Sequence, residues 1–303
     1  MIGELIVMKA ETCLNLCEIE EFECIYPVVS GVKEKIKFTR IYIGSYFCDE
    51  LFLKIDYNNV RNLLDKISNT YKVTLVIPIF CQGNLKKGKE VVHYLIEYYH
   101  DIIDEITVND YGALSMIHQF YNADKQNNRL KINMGRLFFK DYREPRYEEY
   151  FERNWKPKSF SFILKSTIEK YNINEIEIDV THKSINLSES PNCIIGLHTP
   201  YTYMTTGKIC EFASMYRLVQ KKFRPNADCS KECLKSVLEY DVDDNRKWFR
   251  VGRTIYFENN SIRISNFDEN TKDTIKDNKQ DLTESNIRLI YFPLNELVTH
   301  IKW

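Results

Sequence analysis

Four cysteines carry the most readable chemistry in this chain: Cys48, then Cys210, Cys229 and Cys233. Cys48 ends a Tyr-Ile-Gly-Ser-Tyr-Phe-Cys stretch directly after an expected strand. The other three follow more than 150 residues later, as Cys-x18-Cys-x3-Cys. One distant thiol plus a compact trio is a ligand set for a soft metal centre, because thiolates select iron–sulfur clusters or zinc over hard cations. A 4Fe–4S cluster takes four thiolates, and Lys208, Arg224 and Lys231 stand close in sequence to offset its negative charge. Zinc would take the same four in a tetrahedron. Three unrelated thiols are the plain alternative, and spacing alone does not separate these readings.

A second set of candidates lies just after expected strands, where a barrel enzyme would keep its active site. Asn109-Asp110, Asn133, Arg136, Asp179, Thr181-His182 and His198-Thr-Pro-Tyr201 all fall there. His198 and Tyr201 are the catalytic candidates, and Asn109, Asn133 and Arg136 the substrate-binding ones. Asn109 or Asp110 could instead cap the helix that begins at Tyr111. His198 could be a hydrogen-bonded packing residue. Arg143-Glu-Pro-Arg146 offers two guanidinium groups about a proline turn, as a clamp for carboxylate or phosphate or as a surface ion-pair site. Lys221-Lys-Phe-Arg224 sets basic residues beside an aromatic one, a pattern that can hold a nucleic-acid backbone.

These residues need a frame. The chain has 303 residues, 44% of them hydrophobic, which suits one large barrel or two ordinary domains. A net charge of -1 gives no electrostatic argument for nucleic acid, and no DNA partner is expected. The longest apolar runs, such as Val73 to Cys81, are strand-sized, so no membrane span is expected. The N-terminus lacks the pattern of a signal peptide, which makes the cytoplasm the expected compartment. Nine cysteines there do not read as a disulfide framework. Cys24, Cys81 and Cys193 read as small buried hydrophobes. Cys13 and Cys17, at i and i+4, would share a helix face.

From residue 36 to about 200, short apolar runs alternate with helical stretches. Strands are expected over Ile36–Ile43, Lys72–Phe80, Glu105–Val108, Leu130–Met134, Glu175–Val180 and Cys193–Leu197. Helices are expected over Tyr57–Ser68, Gly88–Tyr99, Tyr111–Tyr121 and Ser159–Tyr171. Such alternation implies βαβ units and a parallel sheet, here a (β/α)-barrel of TIM-barrel type in preference to an open sheet. Residues 205–240 break the rhythm as a cysteine-bearing loop region. Trp248–Phe257 and Ser261–Ile264 read as strands turning at Glu258-Asn259-Asn260, a small β hairpin near the C-terminus. Residues 266–286 read as a mobile surface loop, and Ile287–Phe292 as the strand that closes the barrel. The expected organisation is an N-terminal extension over 1–35 and a barrel domain over 36–303.

With these motifs in view, the chain resembles the collagenase-like peptidase family U-thirty-two. Ile106-Thr-Val-Asn109-Asp110-Tyr-Gly112-Ala-Leu looks like that family's strand-end Asn-Asp-x-Gly element. Tyr42-Ile-Gly44-x-x-x-Cys48, Glu177-Ile-Asp-Val180 and the trailing cysteines support it. Within the family it is most similar to the UbiU/UbiV-type iron–sulfur accessory proteins of oxygen-independent ubiquinone hydroxylation. The resemblance is patchy, spans roughly residues 36 to 295, and departs in the longer loop between Cys210 and Cys229. It implies one 4Fe–4S cluster on Cys48, Cys210, Cys229 and Cys233 of a barrel-like domain. It also implies an anaerobic, hydroxylation-type modification of a small molecule, RNA or peptide, by a hydroxylase or its accessory subunit. A related family member is the implied partner, in a hetero-oligomer. A peptidase is the first alternative, although no Gly-x-Ser-x-Gly or His-Glu-x-x-His element occurs and a Cys210–His198 pair would be its only nucleophile and base. A non-catalytic scaffold with structural zinc is the second.

Overall fold

Alternation at a period of two decides this fold, with an inversion of the usual sides. The computed structural model describes residues 11–17, 38–54, 56, 62, 65, 70–123, 130–139, 149–150, 153, 160–179, 191–215, 217–224, 229–234, 236–243, 246–258, 286–294 and 299–302. Eight strands form a closed parallel barrel: β1 (Glu11–Asn15), β2 (Arg40–Gly44), β3 (Lys72–Ile77), β4 (Ile103–Val108), β5 (Lys131–Met134), β6 (Glu175–Asp179), β7 (Ile194–Thr199) and β12 (Ile287–Tyr291). Around the barrel the order is β1-β12-β7-β6-β5-β4-β3-β2, so β12 closes it against β1. Helices α1 (Asp49–Leu53), α2 (Leu85–Tyr99), α3 (Tyr111–Ala123) and α4 (Phe162–Tyr171) lie between strands. Ser161 caps α4 by accepting from the Leu164 amide at 3.3 Å.

In β6, Glu-Ile-Glu-Ile-Asp, the isoleucines point outward and join Leu164 and Ile168 of α4 in the main apolar cluster. Ile41, Leu75, Ile106, Val108 and Leu197 do the same on neighbouring strands, against Val92, Leu95, Leu114 and Ile117 of α2 and α3. The apolar layer therefore sits between strands and helices. The barrel's inner positions go instead to Arg40, Glu105, Thr107, Asn133, Glu175, Glu177, His198 and Arg288, all fully or almost fully buried. Barrels of this type usually fill that space with branched aliphatics.

A five-stranded sheet, ordered β13-β9-β10-β11-β8, adds β8 (Tyr201–Thr206), β9 (Ser236–Asp243), β10 (Arg246–Val251), β11 (Thr254–Glu258) and β13 (Thr299–Lys302). Its aromatics Tyr201, Tyr203, Phe249 and Tyr256 pack with Tyr42, Tyr46, Phe47, Ile290 and Phe292 in a second apolar cluster. β7 runs almost directly into β8 through Thr199-Pro200, so the added sheet is anchored at the C-terminal ends of the barrel strands.

Several expectations change. Residues 1–35 are not wholly an extension: β1 is a barrel strand, bonded to β2 and β12. Cys13 accordingly lies on that strand, buried, and not on a helix. Trp248–Phe257 is no single strand but a hairpin, β10 to β11, turning at Gly252-Arg253. The sheet it belongs to also takes in β8 and β9, which overlap the two ends of the 205–240 stretch expected to be loop. The helix over Tyr57–Ser68 and the loop 266–286 lie outside the described residues apart from Asn62, Asp65 and Asn286, as do Ser261–Ile264, Arg143, Arg146, Thr181, His182 and Cys24.

Candidate functional site

Two regions hold concentrated chemistry. The first is the barrel interior. At its lower layer Arg40 grips Asp104 with two nitrogens, at 2.8 and 2.9 Å, and reaches Thr74 at 3.0 Å and Glu11 at 3.3 Å. Arg288 donates to Glu11 at 2.9 Å, to Glu105 at 2.8 Å, to the Tyr42 hydroxyl at 3.0 Å, and to Glu175. Burial alone would push the Glu105 carboxyl up. Arg288, Arg40 and Asn133 outweigh it and hold the group at about 2. Glu175 goes the other way: burial pushes it well up, with Arg288 pulling against.

Above that layer, Glu177 accepts from the Thr107 hydroxyl at 2.6 Å and meets His198 Nε2 at 2.8 Å, both partners fully buried. Burial pushes the Glu177 carboxyl up to about 7, against the hydrogen bonds that favour its charged form. At the top, Arg136 pairs with Asp179 and donates to the Tyr201 carbonyl at 3.1 Å. Its guanidinium carbon lies 5.4–5.9 Å from the ring centres of Tyr46, Phe47, Tyr203 and Tyr256. A cation ringed by four aromatics and tied to a carboxylate corks the barrel mouth.

The expected pocket residues are thus present but sealed. Asn109, Arg136, His198 and Tyr201 are at most 2% exposed, around this cork. Asn133 joins the lower layer, donating to Glu105 at 2.9 Å and accepting from Asn174 at 3.0 Å. Asp110, not Asn109, does the capping: its carboxylate accepts from the Ala113 amide at 2.6 Å, while Asn109 donates inward to the Ile77 carbonyl at 3.0 Å. His198 faces Glu177 through Nε2 at 2.8 Å.

The second region is the margin where α1, the cysteine-bearing segment and the β10–β11 turn meet. Gly44 sets it up: at φ +112°, an added Cβ would lie 2.3 Å from the Val76 carbonyl oxygen, so only glycine lets the chain leave β2 there. The chain then bends through Ser45, whose hydroxyl accepts from the Cys48 amide at 2.9 Å, and Cys48 begins α1. At the far end of α1, Lys54 donates to the Cys229 carbonyl at 2.5 Å. Cys210 is pinned by Ser214, whose hydroxyl donates to the Cys210 carbonyl at 2.9 Å and accepts from the Phe223 amide at 3.0 Å. Burial raises the Cys210 thiol, and neighbouring Cys229 raises it further. Cys229 Sγ accepts from the Lys231 amide at 3.3 Å.

Gly252 and Arg253 stand among these thiols. Gly252, at φ +57°, takes the first of the two turn positions, and its absent side chain would meet Cys233 Sγ at 3.6 Å. Arg253, 4% exposed, donates through Nη2 to Asp49 at 2.8 Å. Burial disfavours this cation, and the adjacent Cys48 and Asp49 outweigh that and raise its basicity. Its Nε and Nη1 are buried and have no hydrogen-bond partner among the described residues. Asp49 also accepts from the Cys81 amide at 2.9 Å and from Asn84 at 3.1 Å, and these bonds hold it at about 2 against the upward push of burial. Cys81 is therefore half-buried and hydrogen-bonded here, not a small core hydrophobe.

Cys233 borders Gly252, and Cys48 and Cys210 lie within the field of Arg253, while Cys229 neighbours Cys210; among the described residues no group of three His, Cys, Asp or Glu side chains could hold a metal ion. Sequence reasoning missed Asp49, Gly252 and Arg253. Val251-Gly-Arg-Thr254 carried a turn signal in its glycine, hidden inside a run that read as continuous strand.

Fold and site together define a closed (β/α)-barrel with a corked mouth and a thiol-rich margin under an added sheet. No family model matches the chain, and no curated protein matches it. Among solved structures it is similar to the spore cortex-lytic enzyme SleL of Bacillus megaterium QM B1551, at 11% identity and TM-score 0.40, over 97% of this chain and 75% of that one. Likeness at that level says nothing about activity. Among the described residues, no helix is long and apolar enough to cross a membrane.

Proposed function

We propose that this chain is an iron–sulfur protein of the U-thirty-two type, with Cys48, Cys210, Cys229 and Cys233 as ligands of one 4Fe–4S cluster. Its task would be an oxygen-independent, hydroxylation-type modification, as enzyme or as accessory subunit to a related family member. The observation that supports this most is Arg253. A buried guanidinium with two nitrogens, Nε and Nη1, unpartnered among the described residues is costly to keep. Beside four thiols, it is explained by an anionic, sulfur-rich occupant that would accept those bonds. The donor chemistry, four cysteine thiols beside a buried cation, fits a thiolate-held cluster. When bound, such a cluster supplies electron transfer, because four thiolates leave no open iron position. The chain's own residues do the rest: Asp49 orients Arg253, Lys54 ties α1 to the Cys229 loop, and Ser214 fixes Cys210. Arg136 and its aromatics keep the barrel mouth shut, which leaves the thiol margin as the face that meets substrate or partner.

The test is anaerobic purification with iron, sulfide and zinc analysis of the wild type beside Cys229→Ala. A brown protein holding iron and sulfide, both lost in the variant, is the expected result. A colourless protein with one zinc per chain overturns the cluster in favour of a structural site. Iron absent from both, or unchanged in the variant, removes these cysteines as ligands.

A further inference from the structure

We infer that the segment Arg217–Arg224 is a docking element for an anionic lipid surface. Its sequence, Arg-Leu-Val-Gln-Lys-Lys-Phe-Arg, carries four cations and no carboxylate in a chain whose net charge is -1. The apolar side chains within it project into solvent: Leu218 is 71%, Val219 79% and Phe223 58% exposed. Water should expel such groups, and three in six residues is more than scattered surface apolarity.

The segment is nonetheless held in a defined shape. Lys221 N–H donates to the Leu218 carbonyl at 2.8 Å, closing a 3-10 turn over Val219–Lys221. Arg217 Nε donates back to the Ala213 carbonyl at 2.7 Å, and the Phe223 amide is bound by the buried Ser214 hydroxyl. Phe223 takes a left-handed backbone, φ +54°, which a bulky aromatic residue rarely adopts. That strain is sustained while the ring stays exposed, a combination found at ligand-engaging segments.

Side chains that project from a tight turn do not form a pocket or a flat face for a protein partner. Apolar tips with cations at their base match the boundary of a bilayer: the tips enter the headgroup and acyl region, and Lys221, Lys222 and Arg224 meet anionic headgroups. A nucleic-acid backbone would use the cations and could stack on Phe223, but it gives Leu218 and Val219 nothing to bury against. The lipid reading accounts for all of these residues and does not depend on a cluster.

The test uses the purified full-length chain with vesicles of phosphatidylcholine alone and with about a third phosphatidylglycerol, read by co-sedimentation. Binding is expected only to the anionic vesicles. It should fall about tenfold or more in Lys221→Glu/Arg224→Glu and similarly in Leu218→Ser/Val219→Ser. Thermal melting of each variant checks that it is folded. Phe223→Trp gives a reading that does not rely on loss: its emission should shift to the blue on anionic vesicles and not with single-stranded RNA. Absence of binding to anionic vesicles overturns the inference. So does binding that the serine variant leaves unchanged, and RNA binding without any vesicle-induced shift assigns the patch to nucleic acid instead.

Discussion

The barrel interior and the thiol margin are built from equally polar residues and do opposite things with them. In the interior, Arg40 and Arg288 are saturated by Glu11, Asp104, Glu105 and Glu175, and the mouth above them is closed by Arg136, which is paired with Asp179 and ringed by four aromatics, with Nη1 alone lacking a hydrogen-bond partner among the described residues. At the margin, Arg253 spends one nitrogen on Asp49 and keeps two without a hydrogen-bond partner among the described residues, beside thiols of which three are half-buried. Saturated charge in a sealed space acts as architecture, aligning strands by direction-specific bonds. Unsaturated charge beside accessible sulfur retains capacity for a guest. A polar residue at a barrel strand end is therefore not enough to mark an active site; its partners decide.

The largest expected effect that could break this contrast is at Arg288. Arg288→Met should destabilise the fold by roughly 3–5 kcal/mol in urea unfolding, because it leaves Glu175 buried without its cation and takes one of two cations from Glu105 and Glu11. Cys229→Ala in the metal-free protein should cost less than about 1 kcal/mol. Equal losses would show that the margin is as structural as the interior.

The pH dependence should differ in sign between Glu177 of the interior and Asp49 of the margin. Glu177 has its folded value raised from 4.5 to about 7, so its contribution is fully present below pH 4.5 and is lost as pH rises through about 7. Asp49 is lowered from 3.8 to about 2, so its contribution is present above pH 4 and is lost as pH falls through about 2. Glu177→Gln should flatten unfolding free energy between pH 4.5 and 7, and Asp49→Asn should flatten the acid limb instead. If Glu177→Gln leaves the slope from pH 4.5 to 7 untouched, burial is not what raises that carboxyl.

A smaller effect sharpens the contrast at one residue. In protein reconstituted with the proposed cluster, Arg253→Gln should move its midpoint potential to more negative values, because a cation that favours the reduced, more anionic state is gone. Arg253→Lys should recover part of that shift. The unfolding midpoint in acid should rise in the glutamine variant, since Asp49 loses one of the bonds that hold its carboxyl low. A potential unchanged in both variants would make Arg253 purely a partner for Asp49.

The periodic signals in the chain were enough to place most of the barrel. Lys72–Ile77 is a strand because its near-continuous β-branched run suits a sheet buried on both faces, Glu175–Asp179 because its isoleucines alternate, and α2 and α3 emerge where apolar spacing turns helical. Ile287–Tyr291 was legible as the closing strand on the same ground. The cysteine set and the strand-end polar residues were equally visible as residue types. Side assignment was not visible, because Glu-Ile-Glu-Ile-Asp alternates identically whether its acids face water or the inside of a barrel. That choice needed Arg40 and Arg288, from strands more than a hundred residues away on either side of β6, to arrive as counter-charges. The turn at Gly252-Arg253 likewise gained its meaning only when folding brought Asp49, some two hundred residues earlier in the chain, within 2.8 Å of it. Local pattern fixes which segments are strand or helix, since backbone and neighbour sterics are short-ranged; which charges neutralise one another is a property of the closed barrel, settled by desolvation that no local stretch of chain experiences alone.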